Sequence, residues 1–269
     1  VNPFFFGRHE RRLFGIYETG NRREGPARGA VLCHPWGSEY MHAHRTVRQA
    51  ALKLAAAGID TLRFDYFGTG DSAGEMQHAN VDLWADDIRA AIDEIVEMSG
   101  ARRVTLVGLR FGALLAARVA AESPSLVERL VLWDPILDGR SYLEELFATC
   151  RAQVLPYRDL TPRPASAGGG FEVLGYPVSE RMMRDFEALD VRAFAADLPA
   201  PTDVLVSGSD GDVARVREAL VPAAASASIE RIEQEPCWIE YWPPRARSIQ
   251  PELLERLVER TKAIGAERG

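Results

Sequence analysis

The segment Val104-Thr105-Leu106-Val107-Gly108-Leu109-Arg110-Phe111-Gly112-Ala113 decides how this chain folds. Val104–Gly108 is a continuous apolar run, the pattern of a strand buried on both faces. From Gly112 to Ala121 the residues are small and apolar, as in a helix packed against a sheet. Between the two, Gly108-x-Arg110-x-Gly112 has the glycine spacing of a nucleophile elbow, G-x-S-x-G. Strand and helix cross so closely in that turn that larger side chains at the glycine positions would collide. The middle residue is pushed toward a pocket on a strained backbone. Here that residue is arginine, whose guanidinium stays protonated and is neither nucleophile nor general base.

Working outward, the same alternation of strand and helix recurs. Apolar runs predict strands at Leu13–Tyr17, Ala30–His34, Thr61–Asp65, Leu130–Asp134, Val204–Gly208 and Ile229–Ile232. Helical periodicity predicts helices at Thr46–Ala57, Leu83–Met98 and Pro251–Ile264, the last with proline at its first position. The sum is a doubly wound α/β fold with a mostly parallel sheet and right-handed crossovers. The rhythm breaks between Asp134 and Val204. That stretch reads as a helix (Tyr142–Leu155), a low-complexity loop (Pro162–Gly170), an extended piece (Phe171–Leu174) and a helix (Ser179–Leu189). Residues 1–139 and 201–269 are therefore expected to form the core, and 140–200 a helical lid at the carboxyl edge of the sheet, where open α/β sheets bind ligands.

Composition narrows the function classes. The 269 residues carry 32 Lys+Arg against 39 Asp+Glu, a net charge of −7 that disfavours nucleic acid as a partner. No apolar run approaches the ~20 residues of a membrane span. Val1–Gly7 does not read as a secretory signal. Three widely spaced cysteines, Cys33, Cys150 and Cys237, fit a reducing cytoplasm rather than a disulfide scaffold. His42-x-His44 lacks the further ligands of a metal site, and no cofactor is expected. Gly68–Gly74 (GTGDSAG) lacks the Lys-Ser/Thr ending of a phosphate loop.

The elbow, together with PFFFGRHERRLFGIY (Pro3–Tyr17), CHPWGSEYMHAHR (Cys33–Arg45), FDYFGTGDSAG (Phe64–Gly74), LWDPILDG (Leu132–Gly139) and FEVLGYPV (Phe171–Val178), resembles the α/β-hydrolase superfamily. The resemblance is nearer to the serine-aminopeptidase-like branch that includes the exosortase-associated hydrolases. It implies a nucleophile at the position of Arg110, and an acid in the turn Ser207–Asp212, at Asp212 or at Asp210. It also implies a histidine near Gln234–Trp242, a segment with none; the last histidine in the chain is His78. Two of three triad members are missing, which closes the ordinary acyl-enzyme route.

What the resemblance leaves is an oxyanion hole from the N–H groups of Trp36 and Phe111, with His34 beneath its loop, and a pocket edge bearing Cys237 and Trp238. Arg110 either pairs with Asp212 or Asp210 and fills the space of the lost triad, or offers a planar cation to a carboxylate or phosphate. Glu235 and Glu240 are further candidate partners. The expected function is a non-hydrolytic protein that binds a small acyl or anionic ligand. Two alternatives stand beside it. One is a lyase, cyclase or isomerase acting on a carrier- or CoA-linked acyl group, with Asp212, Asp210 or a histidine moving the proton. The other is a hydrolase with a displaced nucleophile such as Cys237 or Ser38.

Overall fold

The computed structural model describes residues 2–22, 24–154, 170–199, 201–221, 227–234, 236, 238 and 251–262. In chain order its elements are β1 (Asn2–Arg8), β2 (Arg11–Glu18), β3 (Gly29–Cys33), α1 (Ser38–Ala56), β4 (Asp60–Phe64), α2 (Val81–Ser99), β5 (Val104–Leu109) and α3 (Phe111–Glu122). Then come β6 (Val127–Trp133), α4 (Gly139–Val154), β7 (Phe171–Val173), β8 (Tyr176–Val178), α5 (Glu180–Ala188), β9 (Thr202–Val206), α6 (Asp210–Leu220), β10 (Ala227–Arg231) and α7 (Pro251–Lys262).

Eight strands form one sheet in the order β1-β2-β4-β3-β5-β6-β9-β10, and β7 pairs with β8 in a separate hairpin. β1 and β2 run antiparallel, and so do β2 and β4; every other pair in the large sheet is parallel. The central strands are buried along their whole length, which is why they read as unbroken apolar runs.

Side chains that alternate along each strand sort the helices into two layers. Val31 and Cys33 of β3, with Val104 and Leu106 of β5, join the core under α2, α3 and α6. Ala30 and Leu32, with Val107 and Leu109, face the other way onto α1 and α7. α2 is fixed at both ends: the Asn80 side chain accepts from the Leu83 N–H, and Gly100 closes the helix at φ 72°.

The interruption behaves as the sequence predicts in its elements. α4, the β7–β8 hairpin and α5 follow one another there, with Ser179 capping α5 through the Met182 N–H. They pack onto the carboxyl edge of the sheet: the Phe111 ring stacks on Tyr142 of α4 at 5.5 Å and meets Phe186 of α5 at 4.4 Å. Residues 155–169, which include all but the last residue of the expected loop Pro162–Gly170, lie outside the described residues. Among the described residues no helix is long and apolar enough to cross a membrane.

Candidate functional site

The elbow forms where the glycine spacing predicts. Arg110 sits between β5 and α3 at φ 53°, ψ −121°. A Cβ on Gly108 would lie 2.4 Å from the Ala113 Cα, and one on Gly112 would lie 2.3 Å from the His34 carbonyl oxygen. Only glycine fits either place. The Arg110 N–H donates to the Trp133 carbonyl at 3.0 Å, and the Arg110 carbonyl accepts from the Ile136 N–H at 3.3 Å. These bonds tie the turn to the end of β6. There Asp134 is also left-handed, at φ 44°.

The strained backbone sends the Arg110 side chain up toward α4. Its Nε donates to Glu39 Oε1 at 2.9 Å, and its Nη2 donates to Glu145 Oε1 at 2.6 Å. The Tyr142 hydroxyl donates to the second Glu39 oxygen at 2.9 Å. The guanidinium carbon lies 4.9 Å from the Trp238 ring centre and 5.8 Å from that of Tyr142, both within cation–π range. Burial works against the arginine's charge, but the two glutamates outweigh it and raise its pKa. Burial pulls the Glu39 carboxyl upward, opposed by Arg110 and the Tyr142 hydroxyl.

The expected partnership with Asp212 or Asp210 is therefore corrected. The turn after β9 is not a free acidic loop but the start of α6. Ser209 caps that helix, and Asp212 turns back to accept from the Ser209 N–H and hydroxyl, both at 2.7 Å. Burial raises the Asp212 pKa, but those bonds and Arg215 outweigh it and hold the carboxyl low. Asp210 is exposed beside Arg231 at 3.2 Å. Glu39 and Glu145 were missed because they lie 71 and 35 residues from Arg110, on elements that only the fold brings over the elbow.

A second buried acid also escaped the sequence reading. Asp134 accepts from the Ser207 N–H and the Ser207 hydroxyl, each at 2.6 Å. Burial pushes its pKa up to about 6, against the lowering by Ser207 and Arg110. Asp134 thus links the ends of β6 and β9 beside the elbow.

The remaining residues fall as follows. The backbone of Cys33 and His34 abuts Gly112, which sets the loop bearing Trp36 beside Phe111. Among the described residues, no backbone acceptor takes the Trp36 or Phe111 N–H. Trp36 directs its indole N–H to the Met76 sulfur at 3.4 Å and packs its ring on Tyr176 and Phe186. His34 is buried, stacked on Tyr40 at 4.1 Å, with Nδ1 2.7 Å from the Pro35 carbonyl oxygen; burial lowers its pKa. Ser38 is the first residue of α1, next to Glu39. Gly68–Gly74 wraps Asp65 rather than an open cradle: Asp65 accepts from the Asp71 N–H at 3.0 Å, and a Cβ on Gly70 would strike it. Cys237, Glu235 and Glu240 lie outside the described residues.

A search of curated proteins returns no match. Among solved structures, Est1E from Butyrivibrio proteoclasticus aligns at TM-score 0.66 and 13% identity, over 96% of this chain and 97% of that one. The proline iminopeptidase of Mycobacterium smegmatis aligns at 0.66 and 16%, over 96% and 97%. The Pyrococcus furiosus esterase PF2001 aligns at 0.61 and 16%, over 96% and 88%. At these identities the likeness establishes the α/β-hydrolase fold. The model of the serine aminopeptidase family S33 matches residues 26–168, more than half of the sequence, with the elbow inside the match. The chain belongs to the S33 serine aminopeptidase family.

Proposed function

We propose that this chain is a non-hydrolytic member of its family, which binds a small acyl or anionic ligand under the lid formed by residues 140–200. One observation carries the reading. The side chain at the nucleophile position is a guanidinium, and it is held by Glu39 and Glu145 rather than by triad partners. The Trp36 and Phe111 N–H groups would hold a carbonyl or carboxylate oxygen. Trp36, Tyr176, Phe186 and Trp238 would receive its apolar part. The resemblance to the exosortase-associated branch adds a carrier- or CoA-linked acyl group as a candidate form of the ligand.

A second reading is favoured by Glu39. This buried carboxyl, pulled upward by burial beside a cation, has the attributes of a proton carrier in a lyase or isomerase. In that role it replaces the expected Asp212, Asp210 or histidine.

The test is direct. The purified protein is incubated with a fluorophosphonate probe and with p-nitrophenyl butyrate, and any adduct is mapped by mass spectrometry. The expected result is no stoichiometric serine adduct and no burst. An adduct at Ser38 or another serine, with turnover, would overturn the proposal in favour of a displaced nucleophile.

A further inference from the structure

The two glutamates that hold Arg110 are not equivalent. Glu39 is sealed: its side chain is 7% exposed, and its two oxygens are taken by Arg110 and Tyr142. The Glu145 side chain is 54% exposed, and Arg110 is its recorded ion-pair partner. An exposed carboxylate tethered to a buried guanidinium gives little stability, because it stays well hydrated when released.

Glu145 also uses the guanidinium incompletely. It meets Nη2 through one oxygen, Oε1, while Nε is occupied by Glu39. Nη1 makes no hydrogen bond with the described residues. A free carboxylate can span Nη1 and Nη2 with both oxygens, the fork geometry that makes arginine–carboxylate pairs strong. The exchange needs no movement of α4, because Tyr142 independently anchors that helix through Glu39 and by stacking on Phe111. The Glu145 side chain, already half exposed, can swing into solvent.

We propose that Glu145 is an internal stand-in for the ligand: a small aliphatic carboxylate displaces it from Arg110, and its chain lies against the aromatic residues around the elbow. This rests on the reading of the elbow as an acyl-ligand site and narrows the ligand to a free carboxylate. Charge bookkeeping supports the exchange, since one carboxylate replaces another on the same cation and the buried pair with Glu39 is untouched.

The experiment compares hexanoate with hexanamide by calorimetry at fixed ionic strength, on the wild-type chain, Glu145→Gln and Arg110→Lys. In Glu145→Gln the competitor is gone, and hexanoate should bind about fivefold tighter, the equivalent of a ~1 kcal/mol surface ion pair. Hexanamide should bind equally to both. Arg110→Lys keeps the charge but not the fork, and should weaken hexanoate more than hexanamide. Hexanoate binding that is unchanged or weaker in Glu145→Gln overturns the exchange. Hexanamide binding without hexanoate binding overturns it too, yet leaves the acyl-site reading standing. Binding of neither probe to any variant removes both.

Discussion

Two buried arginines sit at opposite ends of the same sheet, and they are held in different ways. Arg129 of β6 is bonded to Asp203 of the adjacent strand β9; both side chains are under a tenth exposed, and Arg260 of α7 approaches the same aspartate at 3.4 Å. Arg129 and Asp203 both lie in the core, and Arg260 reaches in from a partly exposed position on α7. Arg110, at the carboxyl edge, has one sealed partner from the core and one half-exposed partner from α4. The first arrangement can only be broken by unfolding that end of the sheet. The second can lose one contact and keep the rest. On the proposed reading, the arginine with the half-exposed partner marks the binding site, and the one with buried partners marks the scaffold.

The largest effect should come from the scaffold pair. Arg129→Met leaves Asp203 buried beside Arg260 alone, and unfolding in urea should show a loss of about 3–4 kcal/mol. Hexanoate affinity should not move; a change there would dissolve the contrast between the two ends.

The next effect depends on pH and concerns the acid beside the elbow. Asp134 is raised to about 6 in the folded chain, against ~3.9 when unfolded. Between these values the folded state holds a proton that the unfolded state has released. Its contribution is therefore present below about pH 4 and is lost as pH rises to about 6. The wild type should lose about 3 kcal/mol relative to Asp134→Asn across that window, measured as the difference between their urea midpoints. A constant difference would mean that Asp134 is ionised throughout.

The smallest effect separates the two glutamates. In double-mutant cycles with Arg110→Met, Glu39→Gln should couple by roughly 1–3 kcal/mol and Glu145→Gln by less than about 1 kcal/mol. Equal couplings would erase the distinction on which the exchange rests.

The sequence made the scaffold legible where local chemistry decides it. Gly108 and Gly112 are glycines because backbone from α3 and β3 lies within 2.4 Å of where a Cβ would be. That constraint appears in the sequence as a spacing. The central strands are uninterrupted apolar runs because both faces are covered. The start of α6 is also written locally, as Ser209 followed three residues later by Asp212, a capping box rather than the expected acidic turn. α1 begins at Ser38 rather than at the expected Thr46, which places Glu39 in its first turn. β1 was not predicted as a strand: its three consecutive phenylalanines do not alternate in polarity, and its burial is that of an edge strand. The partners of Arg110 were not legible at all. A long side chain on a forced turn selects among carboxylates by reach, and that reach is set by how α1 and α4 cross the sheet edge.

The pairing of Arg110 with Glu39 also limits which single substitutions the elbow tolerates. A change of Arg110 to serine would remove the cation that Glu39 pairs with, in a sequence with no histidine after His78. Glu39 would then lie buried beneath α4 without its cation, and burial would drive its carboxyl toward the protonated form. Glu39 and Arg110 are thus mutually dependent, and a substitution at either is expected to be tolerated only together with a change at the other.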